Sequence, residues 1–94
     1  MKPKPPAPIA ETILAEAERI VNGPRRVEYG GCLESFQRIA TMWSAYFGID
    51  ISPEDVAMAQ VMLKVCRAKQ GMHRDSLVDI AGYARCVEIM SEER

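Results

Sequence analysis

Histidine, cysteine and aromatic residues are all scarce in this 94-residue chain, and each shortage closes off a class of function. His73 stands alone, and no two of Cys32, Cys66 and Cys86 have metal-ligand spacing, so no structural zinc site is expected. An odd number of widely spaced cysteines points to reduced, mostly buried thiols rather than a disulfide framework. With only one Trp, three Tyr and two Phe, the core has to be built from aliphatic side chains, Ala and Met. No apolar run approaches the ~20 residues that cross a bilayer. Prolines occupy the N-terminus where the apolar segment of a secretory signal would stand, so the expected compartment is the cytoplasm. Charge of one sign is lacking too: 12 basic residues face 13 acidic ones, for a net charge of -1. Setting aside Lys2 and Lys4 leaves 10 basic residues against the same 13 acids, a balance of -3. That excludes a broad nucleic-acid surface, although a small phosphate ligand needs only a local basic cluster.

What is present is apolar enough to fold: 48% hydrophobic against 27% charged residues. The length gives one domain, near the size where a single core becomes marginal. Met1 to Pro8 carries four prolines and reads as a flexible tail, leaving one helical domain over residues 9–91. A first helix is predicted from Ile9 to Asn22, on the stripe Ile9, Ile13, Ala17, Ile20 and Val21 widened by Leu14, stopped by Gly23-Pro24. The polar segment GPRRVEYGG follows. A second helix, Cys32 to Phe47, places Leu33, Phe36, Ile39, Ala40, Trp43, Tyr46 and Phe47 on one face, expected to be the centre of the core. Ser52-Pro53-Glu54-Asp55 is a helix start by capping chemistry. The third helix, running from there to about Lys69, is apolar almost all round from Val56 to Cys66, as in a helix buried on most sides. A fourth helix is expected over Asp75 to Met90 on Leu77, Ile80, Ala81, Ala84 and Val87, with the last residues frayed. The class is all-α, a four-helix bundle. One bundle of this size cannot cover the third helix, so a homo-oligomer is expected.

Charges interrupt the two apolar helices in register. Gln60, Lys64 and Arg67 form one polar stripe, and Asp75, Asp79 and Tyr83 form another. A short connection makes these helices antiparallel, so two cations and two carboxylates should face a common interior. Buried charges have to pair with one another or with something bound. The same four residues therefore suit either a register-fixing ion-pair network or a ligand site.

Tyr29-Gly30, Phe36, Ile39-Ala40, Trp43-Ser44, Asp55-Val56-Ala57, Leu63-Lys64, Arg67 and the run Asp75-Ser76-Leu77-Val78-Asp79-Ile80-Ala81-Gly82-Tyr83 resemble a family of small phage and prophage proteins. They are also similar to the phage nucleotide-modification-associated domain and, more distantly, to MazG-type all-α nucleotide pyrophosphohydrolases. The resemblance implies a MazG-like bundle that assembles as a dimer or tetramer and binds nucleotide among its helices. MazG-type enzymes hold Mg²⁺ with Glu-x-x-Glu on one helix and Glu-x-x-Asp on a later one. Here the corresponding stretch is Glu34-Ser35-Phe36-Gln37, with an amide for one acid, and Asp75 and Asp79 are four apart.

Three functions follow. The first is a noncatalytic nucleotide-binding phage protein without a cofactor, one form of which sequesters cyclic dinucleotide signals of CBASS-type antiviral defence. Its ligand would be held by Arg25, Arg26, Lys64 and Arg67 on phosphate and by Tyr29 or Tyr83 on the base, with Asp75, Ser76 and Asp79 orienting. The second is a Mg²⁺-dependent pyrophosphohydrolase using Glu34, Asp75 and Asp79. The third is a structural helical interaction module.

Overall fold

The computed structural model describes residues 10–23 and 31–93. Among these residues there are four helices and no strand: α1 (Ile13–Asn22), α2 (Cys32–Phe47), α3 (Pro53–Ala68) and α4 (Arg74–Glu93). The all-α expectation holds. The proline-rich tail, Ile9 and most of the GPRRVEYGG segment lie outside the described residues.

Local chemistry sets each boundary. The Thr12 hydroxyl accepts from the Ala15 N–H, so α1 begins at Ile13 and Ala10 to Thr12 precede it. A hydroxyl that satisfies an otherwise orphan helix donor outweighs the apolar period that suggested an earlier start. Gly48 closes α2 in the left-handed region at φ 70°, a conformation that costs a side-chain-bearing residue about 1–2 kcal/mol. The Ser44 hydroxyl then spans the link to α3, accepting from Ile51 N–H at 2.9 Å and donating to Ile51 C=O at 3.2 Å. At α3, Ser52 and Asp55 form a reciprocal capping box, with Pro53 at the first helical position.

The fourth helix is the hub, packing on the other three. It runs antiparallel to α3, as expected: Lys64 meets Asp79, and Ala57 shares a core cluster with Cys86 and Met90. Val21, Cys32, Leu33, Phe36 and Val87 pack around that cluster. Ion pairs clasp α1 to α4, Glu16 with Arg74 and Glu18 with Arg85 at 2.7 Å. The Glu18 carboxylate, hydrogen bonded to the guanidinium, raises the Arg85 pKa above its ordinary value.

Four expectations change. The residues that α4 buries are Ser76, Val78, Cys86, Ile89 and Met90, whereas of the expected face Val87 packs on the core cluster, Leu77, Ile80 and Ala81 are half-buried and Ala84 is exposed. The helix also continues past Met90. Its Glu93 carboxylate accepts from Leu33 N–H at 3.1 Å, so an acid expected to fray instead satisfies a donor at the positive end of α2. The second half of α2 is not core: Tyr46 is 86% exposed and Phe47 61%, their rings edge to face. Finally, α3 is not buried on most sides, for Met58, Met62, Leu63 and Val65 are exposed, and so is Leu14 on α1. Hydrophobic period identifies a helix and its apolar width but not which part of that width the same chain covers.

A candidate ligand cleft between α1, α2 and α4

A cleft of about 330 Å³ opens between α1, α2 and α4, with Gln60 of α3 reaching its lining. That volume is at the lower end of small-molecule sites. The wall from α1 is aliphatic, built from Ala17, Ile20 and Val21. Across from it, Phe36 of α2 and Tyr83 of α4 stand with ring centroids 6.1 Å apart, tilted by 51°. Polar residues in the lining are few, Asp79, Gln60, Ser35 and Tyr83, and the Cys32 and Cys86 sulfurs lie 2.9 Å apart.

Asp79 is half-exposed at 41%, and its carboxylate holds the Lys64 ammonium at 2.9 Å. Lys64 is 15% exposed, so its charge sits at the edge of the cleft and is mostly withdrawn from solvent. Asp79→Ala is expected to cost about 1–2 kcal/mol, between a surface pair and a fully buried one, because water still reaches the acid. Urea denaturation checks this, and a cost under about 0.5 kcal/mol would show that Lys64 simply turns to solvent.

Of the sequence-predicted site residues, Asp79 and Tyr83 line the cleft and Lys64 adjoins it. Arg67 and Asp75 do not join them. Both are exposed, and neither forms an ion pair among the described residues, so the four charges share no common interior. In the last turn of α3 it is Ala68 that is buried. Ser76 is buried in the first turn of α4, outside the cleft lining. Arg25, Arg26 and Tyr29 lie outside the described residues. Cys66, expected to be buried, is exposed, whereas Cys86 is buried and Cys32 half-buried.

The acids of the pyrophosphohydrolase reading are engaged separately. Glu34 pairs with Arg38 at 2.6 Å, Asp79 with Lys64, and Asp75 faces solvent. Among the described residues, no three of His, Cys, Asp and Glu are grouped to hold a metal ion. A Mg²⁺ ion held by one chain would therefore have one or two of these carboxylates, and phosphate oxygens and water would have to complete its shell.

Ser35, Phe36 and Gly82 are cleft residues that the polar stripes did not point to. Gly82 offered a signal, since glycine in a helix interior costs about 1 kcal/mol relative to alanine and so calls for a reason. A β-carbon at Gly82 would meet only Val21 Cγ2 at 3.7 Å, an ordinary contact. Packing therefore does not require the glycine, and the space it leaves belongs to the cleft.

A family model described as a domain of unknown function, DUF6378, matches residues 12–91. The Gene 55 protein of Mycobacterium phage L5 is 48% identical over 81 residues, covering 84% of this chain and 52% of its own length. The Gene 55 protein of Mycobacterium phage D29 is 45% identical over 86 residues, covering 90% of this chain and 57% of its own length. The chain thus spans about half the length of these curated relatives. No solved structure matches it. Among the described residues, no helix is long and apolar enough to cross a membrane.

Proposed function

The chain belongs to the DUF6378 family of helical proteins with phage members, and from that premise we propose that it binds a nucleotide in this cleft without cleaving it. The observation that carries the reading is Gly82. It gives up helix stability where alanine would fit, and it keeps open a cleft walled by Phe36 and Tyr83. An aromatic wall stacks on any base, and Asp79 and Gln60 offer acceptors and a donor to a base edge. Lys64, paired with the cleft residue Asp79, is a cation available to phosphate.

In this reading the fold is a MazG-like bundle that has lost its metal donors and works as a homo-oligomer in the cytoplasm of a phage-infected host. Sequestration of a cyclic dinucleotide alarm signal suits a binder without catalysis. The Mg²⁺-dependent hydrolase reading lacks a gathered set of acids. A purely structural module gives no reason for Gly82.

A thermal-shift titration with linear and cyclic nucleotides, with and without Mg²⁺, tests the proposal. Ligand at about 100 times its Kd stabilises the native state by about 2.7 kcal/mol, and the shift should not need Mg²⁺. Gly82→Ala is expected to move two quantities in opposite directions. It should raise stability by about 0.5–1 kcal/mol while weakening nucleotide binding, because the added methyl enters the cleft. A variant that is more stable and binds as well as the parent would leave Gly82 without a role in binding.

A further inference from the structure

Asp55, Met58, Met62, Val65 and Lys69 recur along α3 at steps of three and four residues, the spacing of a helix–helix seam. All five are exposed, with Met58, Met62 and Val65 at 51%, 62% and 54%. The residues that α3 buries within the chain, Pro53, Val56, Ala57 and Ala68, lie on its other side. Lys69 caps α3 in right-handed helical geometry, so the stripe continues through it.

The order of residues along this seam is self-complementary. Its centre is apolar, one end is acidic and the other basic, and Asp55 and Lys69 each lie seven residues from Met62. We propose that α3 pairs with α3 of a second copy, antiparallel, about a two-fold axis at Met62. In that register Asp55 of each copy meets Lys69 of the other at both ends, and the two Met62 side chains meet on the axis. A parallel pair would instead set Asp55 against Asp55 and Lys69 against Lys69, and like charges in contact oppose association. The interface is isologous, as a two-fold requires. It covers methionine and valine surface that the chain itself leaves in water, and flexible Met side chains adapt well to such a contact. The inference rests on the oligomeric part of the proposed function and is independent of what the cleft takes.

Sedimentation equilibrium of the full chain at high micromolar concentration tests it, with circular dichroism to confirm that each variant is folded. The wild type should be dimeric or a multiple of a dimer. Met62→Glu, at a position exposed in the single chain, should abolish the α3 contact by setting two carboxylates on the axis. Lys69→Glu should weaken association about tenfold, because it faces Asp55 of the other copy. Adding Asp55→Asn should restore most of that loss, since the amide removes the repulsion and still accepts from Ser52 N–H. A wild type that stays monomeric overturns both the inference and the oligomeric reading. An oligomer indifferent to Met62→Glu, or to Lys69→Glu, overturns the inference alone, and nucleotide binding is read separately by thermal shift.

Discussion

Met90→Ala is expected to destabilise the protein by about 3 kcal/mol, far more than truncation of any exposed side chain. Met90 is fully buried in the last third of α4, within the cluster that joins Ala57 of α3 and Cys86. Leu33 and Phe36 of α2 and Val21 of α1 pack on that cluster, so the cavity left by truncation adjoins every helix. Small domains hold about 5–15 kcal/mol in total, and each kcal/mol moves the melting temperature by about 4–8 °C. A drop of about 12 °C or more is therefore the expected readout. Met72 provides the contrast, at 77% exposed: its truncation should stay within about 0.5 kcal/mol. Equal effects at both positions would mean that α4 is not the hub.

Tyr83→Ala is expected to weaken nucleotide binding about ten- to a hundredfold, the worth of one aromatic stack. The ring faces the cleft beside Phe36, and its removal takes away half of the aromatic wall. Tyr83→Phe separates the roles of ring and hydroxyl. If stacking is what Tyr83 supplies, Phe should retain most of the affinity and Ala should lose it. Titration calorimetry with the nucleotide that gives the largest thermal shift measures both. Wild-type affinity in Tyr83→Ala would place the base elsewhere.

Much of the fold is legible in the sequence. Ser52-Pro53-Glu54-Asp55 marks its helix start because every one of those residues satisfies or tolerates an orphan N–H, and the capping box forms as the chemistry requires. Gly48 ends α2 for an equally local reason. The Lys64–Asp79 pair is legible as well, since a short connection fixes the two helices antiparallel and brings those positions together. Long-range coverage is not. Tyr46 and Phe47 have the right period for a core face, but the neighbours that cover Ala40 do not reach that far along α2. On α4, Leu77, Ile80 and Val87 on the expected face match Val78, Ile89 and Met90 in number of large apolar residues, and the buried set also contains Ser76 and Cys86. Small residues let helices approach, and a scale of hydrophobicity undervalues them. Arg67 shows the limit of stripe arithmetic. Angle along a helix gives direction, but at the last turn of α3 the arginine is left in solvent. Glu93 is the reverse case, an acid near the chain end whose partner, the start of α2, is distant in sequence.

Under the proposed function, nucleotide enters, is held by stacking and by a cation beside the cleft, and leaves unchanged. Chromatography of linear and cyclic nucleotides incubated with the protein and Mg²⁺, after separation of the bound fraction, tests this most directly. Nucleotide should co-elute with the protein and be recovered intact on denaturation. Steady release of monophosphate and pyrophosphate, lost in Asp79→Asn, would contradict it.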